Sequence, residues 1–135
     1  MALASSIEVR SRFDVDDELL SRLHDAAFGA AGPVQPWSDR LSRFSVSWVG
    51  AFAACELVGF VHAVWDGGQH AFLLDTCVDQ ARQHEGIGVA LVRRATEAAR
   101  EAGCTWLHVD FEPQLETFYA RCGFSPTQAG LLRLS

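Results

Sequence analysis

Residues 82–91 read RQHEGIGVAL, a polar loop that runs into an apolar helix through two glycines, Gly86 and Gly88. Glycine is a poor helix former, so two of them at a helix start need a reason. A helix N-terminus offers unpaired N–H groups and about half a positive charge. Glycine lets a ligand reach those groups with no β-carbon in the way. The stretch therefore reads as an anion site. The alternative is that the glycines only turn the chain.

Two phosphate-binding patterns can be tested here. A P-loop needs Gly-Lys-Ser/Thr, and no lysine follows Gly88, which excludes it. A dinucleotide fingerprint, G-x-G-x-x-G, finds its first two glycines in Gly86 and Gly88, but Leu91 takes the third place. Asp110, at the end of the next strand, would suit that fold. Against it, a long polar loop separates Val78 from Gly86, where a doubly wound sheet has a tight turn.

Working outward, the pattern upstream is hairpins. IEVRSRF (7–13) alternates as a first strand. DVDDELLSRLHDAAFG (14–29) has helical spacing of Leu19, Leu20, Leu23, Ala26 and Ala27, with Asp14 or Asp16 to cap it and Gly29 to end it. SDRLSRF (38–44) suits a short second helix. SVSWVGAFAA (45–54) and ELVGFVHAVW (56–65) read as paired strands. Asp66-Gly67-Gly68 then marks a tight hairpin into HAFLLDTCV (70–78), which is apolar on both faces and so expected to be central. Downstream, residues 87–103 give the clearest helix of the chain, with Ile87, Leu91, Ala95, Ala99 and Ala102 on one stripe. CTWLHVDF (104–111) is a strand, QLETFYARC (114–122) a short helix, and GLLRLS (130–135) a last strand. Hairpins first and a crossover helix later imply an α/β domain whose mixed, mostly antiparallel sheet is flanked by helices.

A third pattern fits the glycines better. Gln83-His84-Glu85-Gly86-Ile87-Gly88 reads Q-x-x-G-x-G after a strand ending in Val78-Asp79, and FYARCGF (118–124) reads F-Y-x-x-x-G-F. Together these resemble the GNAT N-acetyltransferase family, which moves an acetyl group from acetyl-coenzyme A (acetyl-CoA) to an amine. The likeness is specific from about 57 to 124 and rests on element order before that. It implies the acyl-CoA N-acyltransferase fold across residues 1–135 as one domain. It also implies that backbone amides from Gln83 to Val89, through His84, Glu85, Gly86, Ile87 and Gly88, hold the coenzyme's pyrophosphate. The pantetheine arm would lie against Cys77 and Val78, with Phe118 beside it, and Arg82 and His84 would add charge.

Amine acetylation needs a deprotonated amine, because an alkylammonium with a pKa of about 10 is no nucleophile. It also needs stabilisation of the thioester oxygen and a proton for the leaving thiolate. By the resemblance, Tyr119, the only tyrosine, donates to the sulfur, and the Val78 amide faces the oxygen. Asp75 matches an acid of the family and is either the base or a structural hydrogen-bonder. His108, Asp110 and Glu112 are further bases, and a base can act through water. His62 and His70 read as core or edge histidines. Glu112 stands where the family often has Asn, and Leu115 where it has Ala. Glu112 would then bind the acceptor's ammonium or cap the helix after Pro113. The acceptor pocket should come from the N-terminal half, around Phe28, Trp37, Trp48 and Trp65.

Composition narrows the classes. A length of 135 residues suits one domain able to bury its own core. Seventeen acids against 11 bases give a charge of −6, which argues against nucleic acid and mildly favours a cationic small partner, a small-molecule or peptide amine. No stretch reaches the roughly 18 apolar residues of a membrane span, and MALASSIEVR lacks signal-peptide character, so a cytoplasmic protein is expected. Cys55, Cys77, Cys104 and Cys122 lack the close pairing that zinc needs, so no metal is expected and the thiols read as buried and free. Homodimers are common in the family. A coenzyme-A-binding domain without turnover and a dinucleotide-binding domain remain as alternatives.

Overall fold

The computed structural model describes residues 2–135. The elements are β1 (Ile7–Ser11), α1 (Asp17–Phe28), α2 (Trp37–Phe44), β2 (Ser45–Ala53), β3 (Glu56–Trp65), β4 (His70–Val78), α3 (Ile87–Glu101), β5 (Trp106–His108) and α4 (Glu116–Arg121). Local chemistry sets the ends of the first helix. Asp16 caps α1, its carboxylate accepting from the Glu18 and Leu19 amides at 3.0 and 3.1 Å. Gly29 closes the helix at φ 68°, the left-handed conformation that favours glycine.

The sheet runs β1-β2-β3-β4-β5, with every pair antiparallel except β4–β5. A single parallel pair at one edge is incompatible with a doubly wound dinucleotide fold. The α3 helix covers one face, where Ile87, Leu91, Val92 and Ala95 pack with Val49, Val58, Val61 and Leu73. Helices α1 and α2 cover the other, where Leu20, Trp37 and Leu41 meet Phe60 and Cys77. Neighbours on β3, Phe60 and Val61, thus point to opposite layers, as the strand period of two requires.

One irregularity shapes the centre of the sheet. On β3 a single residue, Val61, separates Phe60 from His62, while on β4 their partners Cys77 and Leu74 enclose both Asp75 and Thr76. This extra residue is a β-bulge, and Asp75 sits in it at φ 60°, a conformation uncommon outside glycine.

Several sequence expectations need correction. Residues 130–135 form no strand, and Leu131, Leu132 and Leu134 are almost fully exposed; adjacent leucines do not alternate, so they give a sheet no single face to bury. The strand expected over 104–111 shrinks to Trp106–His108, because the chain there parts from β4. Ala102 lies outside the buried stripe of α3, and Val92 lies within it. All four cysteines are free, but only Cys77 is buried, and Cys55 is exposed in the β2–β3 turn. β4 is not the central strand: it lies between β3 and the short edge strand β5, and Phe72 and Leu74 are left exposed on the α1/α2 face.

Candidate active site

The site grows out of the end of β4. Pairing with β5 covers His70↔Trp106, Ala71↔Leu107 and Phe72↔His108 and then stops. From Leu73 to Val78, β4 has a strand partner only on its β3 side. The opening leaves a row of peptide groups available to an extended molecule. At its end the Gln83 side chain donates to the Val78 carbonyl at 3.2 Å. The Asp79 amide donates to the Val58 carbonyl at 2.8 Å, and the Asp79 carboxylate accepts from the Ala81 amide at 2.9 Å. These bonds fix where the loop leaves the strand.

The loop then curls by two left-handed residues, His84 at φ 66° and Gly86 at φ 79°. The Glu85 carbonyl accepts from the Ala4 amide at 3.1 Å, and the first helical bond of α3 is Ala90 N–H to the Gly86 carbonyl at 3.2 Å. The amides of Ile87, Gly88 and Val89 come before it and have no intrahelical acceptor. Arg82 faces Glu85 at 3.5 Å, so its charge is shared within the loop.

The glycines now have separate explanations. Gly86 supplies the left-handed turn that starts the helix. Gly88 supplies room for an aromatic ring, since a β-carbon there would lie 3.0 and 3.1 Å from Cε1 and Cζ of Phe118 and 3.9 Å from Val78 Cγ2. The expectation that a ligand's close approach demands this glycine is therefore corrected: the space is filled by Phe118. The ring ties α4 to α3 beside the strand end, so Val78, Gly88 and Phe118 meet at one point.

That packing also fixes Tyr119. It is buried at 5% exposure, with Phe111 stacked at 4.8 Å and Phe118 and Phe124 edge-on at 4.8 and 5.7 Å. Burial pushes the phenol above its ordinary range, and the Thr76 hydroxyl beside it pulls the other way without prevailing. Tyr119 thus stays a neutral donor at neutral pH. Thr76 belongs to the β4 bulge, so the phenol addresses the same strand segment as Asp75, from the opposite layer.

Asp75 carries the densest polar network of the chain. One carboxylate oxygen lies 2.8 Å from His24 Nε2 and the other 2.7 Å from His62 Nε2. The second nitrogen of His62, Nδ1, lies 2.9 Å from Ser45 Oγ. Burial raises the Asp75 carboxyl, but the hydrogen bonds from His62 and His24 more than offset this and hold it below its ordinary value. Both Nε2 atoms sit at hydrogen-bond distance from the carboxylate. Among the described residues no group of three or more His, Cys, Asp or Glu is placed to hold a metal ion.

The other expected residues fall apart from this cluster. His108 lies 2.8 Å from His70 and stacks on Phe72 at 4.4 Å, on the exposed face. Glu112 is exposed and precedes the 3-10 turn Pro113–Leu115; it caps that turn through its carbonyl, which accepts from the Leu115 amide at 2.9 Å, and its side chain makes no capping bond. Cys77 is buried in the α1/α2 layer, where desolvation and then the Asp75 charge push its thiol up to about 12. Such a buried, protonated thiol is unreactive. Trp37 is core at 2% exposure, while Trp65 and Phe28 are exposed. A groove of about 470 Å³ runs between α1 and the strand end, past Leu23, Ala26, Leu57, Val78 and Asp79. Sequence reasoning missed His24. It lies one turn after the buried Leu20 and one before Phe28, so a titratable group on the buried stripe of α1 was the available signal.

Known proteins place this arrangement. Residues 15–124 match the model of the Acetyltransferase (GNAT) family. A probable glucosamine 6-phosphate N-acetyltransferase 2 of rice (Oryza sativa subsp. japonica) is 43% identical over 58 residues, 43% of this chain and 35% of that protein. The mycothiol acetyltransferase of Nocardia farcinica is 37% identical over 68 residues, half of this chain and 22% of the relative. The matched stretches thus span about a third or less of these curated relatives. Among solved structures, a Trypanosoma brucei acetyltransferase superposes with TM-score 0.81 at 21% identity, covering 96% of this chain and 99% of that one. The glucosamine-6-phosphate N-acetyltransferase of Arabidopsis thaliana gives 0.75 at 13% identity, covering 96% and 98%. A family model that spans residues 15–124 covers most of the sequence: the chain belongs to the GNAT acetyltransferase family.

Proposed function

We propose that this chain transfers an acetyl group from acetyl-CoA to the primary amine of a small molecule or peptide by direct attack. The observation that carries the reading is the gap: β4 leaves β5 after Phe72 and opens toward the unpartnered amides at the start of α3. A long thioester with a diphosphate needs such a strip of free peptide groups ending at an anion site. Cys77 and Val78 supply the strip, and Gln83 to Val89 supply the anion site, with Phe118 packing behind it.

When bound, acetyl-CoA supplies the activated acyl carbon and the thiol leaving group. The chain's own groups do the rest. The Val78 amide donates to the thioester oxygen as charge grows there. Tyr119 donates a proton to the departing sulfur, which its neutral phenol is suited to do. Asp75 anchors the group that accepts the amine's proton. Glu112, with its side chain free, draws a cationic amine toward the site. Among the described residues no helix is long and apolar enough to cross a membrane; the reaction is placed in the cytoplasm as part of the same proposal.

The test has two stages. Calorimetric titration with acetyl-CoA, against a nicotinamide dinucleotide as control, should show binding of the first alone. Thiol release should then be followed across an amine panel that begins with glucosamine 6-phosphate, the compound named for the rice relative. Binding without turnover on any amine would make the chain a silent coenzyme-binding domain, and failure to bind would remove the reading.

A further inference from the structure

Resting on that reading, we propose that His24 is the group that takes the proton from the acceptor amine, and that Asp75 is the residue that positions it. Each Asp75 oxygen already accepts from an imidazole, at 2.8 Å from His24 and 2.7 Å from His62. Asp75 thus stands behind both rings as their shared acceptor. His62 is closed to a substrate: its side chain is 3% exposed and its Nδ1 is held by Ser45 at 2.9 Å. His24 is open, its side chain 24% exposed, and only its Nε2 has a hydrogen-bond partner among the described residues.

The bond to Asp75 also sets the tautomer. A carboxylate only accepts, so His24 must donate from Nε2, which leaves a lone pair on Nδ1. A carboxylate behind one imidazole nitrogen orients the ring and stabilises the imidazolium that forms when the other nitrogen takes a proton. His62 from β3 and Asp75 and Cys77 from β4 are the titratable groups that meet on this side. Arg40 from α2 lies over the neighbouring Trp37 ring at 4.9 Å. The ring planes of Phe28 and Trp37 flank His24, with centroids at 4.5 and 5.1 Å. They give the base an apolar wall, and an amine that has lost its charge is stable beside such a wall.

Placement completes the argument. Asp75 and Thr76 are successive residues of one bulge. Thr76 adjoins Tyr119 in the α3 layer, and Asp75 holds His24 in the α1/α2 layer. Base and acid thus address the open edge of β4 from opposite faces of the sheet. The protons balance. One leaves the ammonium for His24 Nδ1 and then solvent. As the C–N bond forms and the C–S bond breaks, a second leaves nitrogen and replaces the phenolic proton that Tyr119 has given to sulfur. The third stays on the amide.

The test uses the whole chain. His24→Gln keeps an N–H near the Nε2 position for Asp75 but cannot take up a proton. With the amine of the panel that turns over fastest, kcat/KM should fall about 100-fold or more, and the acid limb of the pH profile should vanish. Acetyl-CoA affinity, by calorimetry, should stay unchanged. Free imidazole should restore part of the rate to His24→Ala. Nitrogen-15 NMR of the unliganded wild type should show His24 protonated on Nε2 alone when neutral, and Asp75→Asn should disturb that pattern. Wild-type turnover with an intact pH profile in His24→Gln, or a His24 protonated on Nδ1, overturns the assignment while leaving the acetyltransferase reading standing. A wild type that binds acetyl-CoA and acetylates nothing removes that parent reading, and this one with it.

Discussion

The change Gly88→Ala asks directly what the second glycine is for. A β-carbon at this position lies 3.0 and 3.1 Å from two ring carbons of Phe118, against a comfortable carbon–carbon separation of about 3.5–4.0 Å. Forcing a methyl group into such a contact costs about 1–3 kcal/mol. Alanine recovers at most about 1 kcal/mol of helix propensity over glycine. The single variant should therefore be destabilised by about 0–2 kcal/mol. Phe118→Leu removes the Cε1 and Cζ atoms that make the clash, so in that background Gly88→Ala should be neutral or slightly stabilising. Urea unfolding of the four proteins of this cycle measures the coupling, expected at about 1–3 kcal/mol. The double variant should bind acetyl-CoA as tightly as Phe118→Leu alone, because the amide of residue 88 survives and its β-carbon points at residue 118. Coupling below about 0.5 kcal/mol, with acetyl-CoA affinity lost in both alanine variants, would refute the packing argument and return Gly88 to the ligand.

Other consequences can be checked on the same protein. Gly86→Ala places a β-carbon on a residue at φ 79°, which should cost about 1–2 kcal/mol and lower Tm by several degrees, with Gly86→Asn milder. Tyr119→Phe should keep the fold and the acetyl-CoA affinity while lowering kcat at least about tenfold; pre-steady-state thiol release checks that chemistry limits the rate. The phenol's raised pKa makes its contribution to stability full below about pH 10 and lost as pH climbs through the folded value, so the phenylalanine variant should lack that alkaline decline. Burial raises the Asp75 carboxyl, but the hydrogen bonds from His62 and His24 hold it below its ordinary value of about 3.9. Its contribution is full above that pH and lost as pH falls through the folded value. Thermal melts of Asp75→Asn should accordingly show a smaller acid destabilisation than wild type. Glu112→Gln should raise KM for a cationic acceptor and leave kcat unchanged, and an unchanged KM would free Glu112 of any part in recognition.

What the sequence determined by itself is local. The helix over residues 87–103, a cap at Asp14 or Asp16, the stop at Gly29, the two hairpins and the start of the loop at Asp79 follow from periodicity and turn chemistry, which neighbouring residues encode. The two short motifs, Gln83 to Gly88 and Phe118 to Phe124, led to the family for the same reason: each is a few adjacent residues with one job. Tertiary structure decided whatever depends on residues far apart in the chain. No spacing reveals that His24, His62 and Asp75 share one carboxylate, because α1, β3 and β4 are brought together only by burying Leu20, Trp37 and Phe60. The bulge at Asp75 is a mismatch between two strands, invisible in either alone. Gly88 looked like a ligand's opening until Phe118 arrived from 30 residues downstream to fill it. The leucines at 131, 132 and 134 looked like a strand, but a strand exists only where another offers its peptide groups, and here none does.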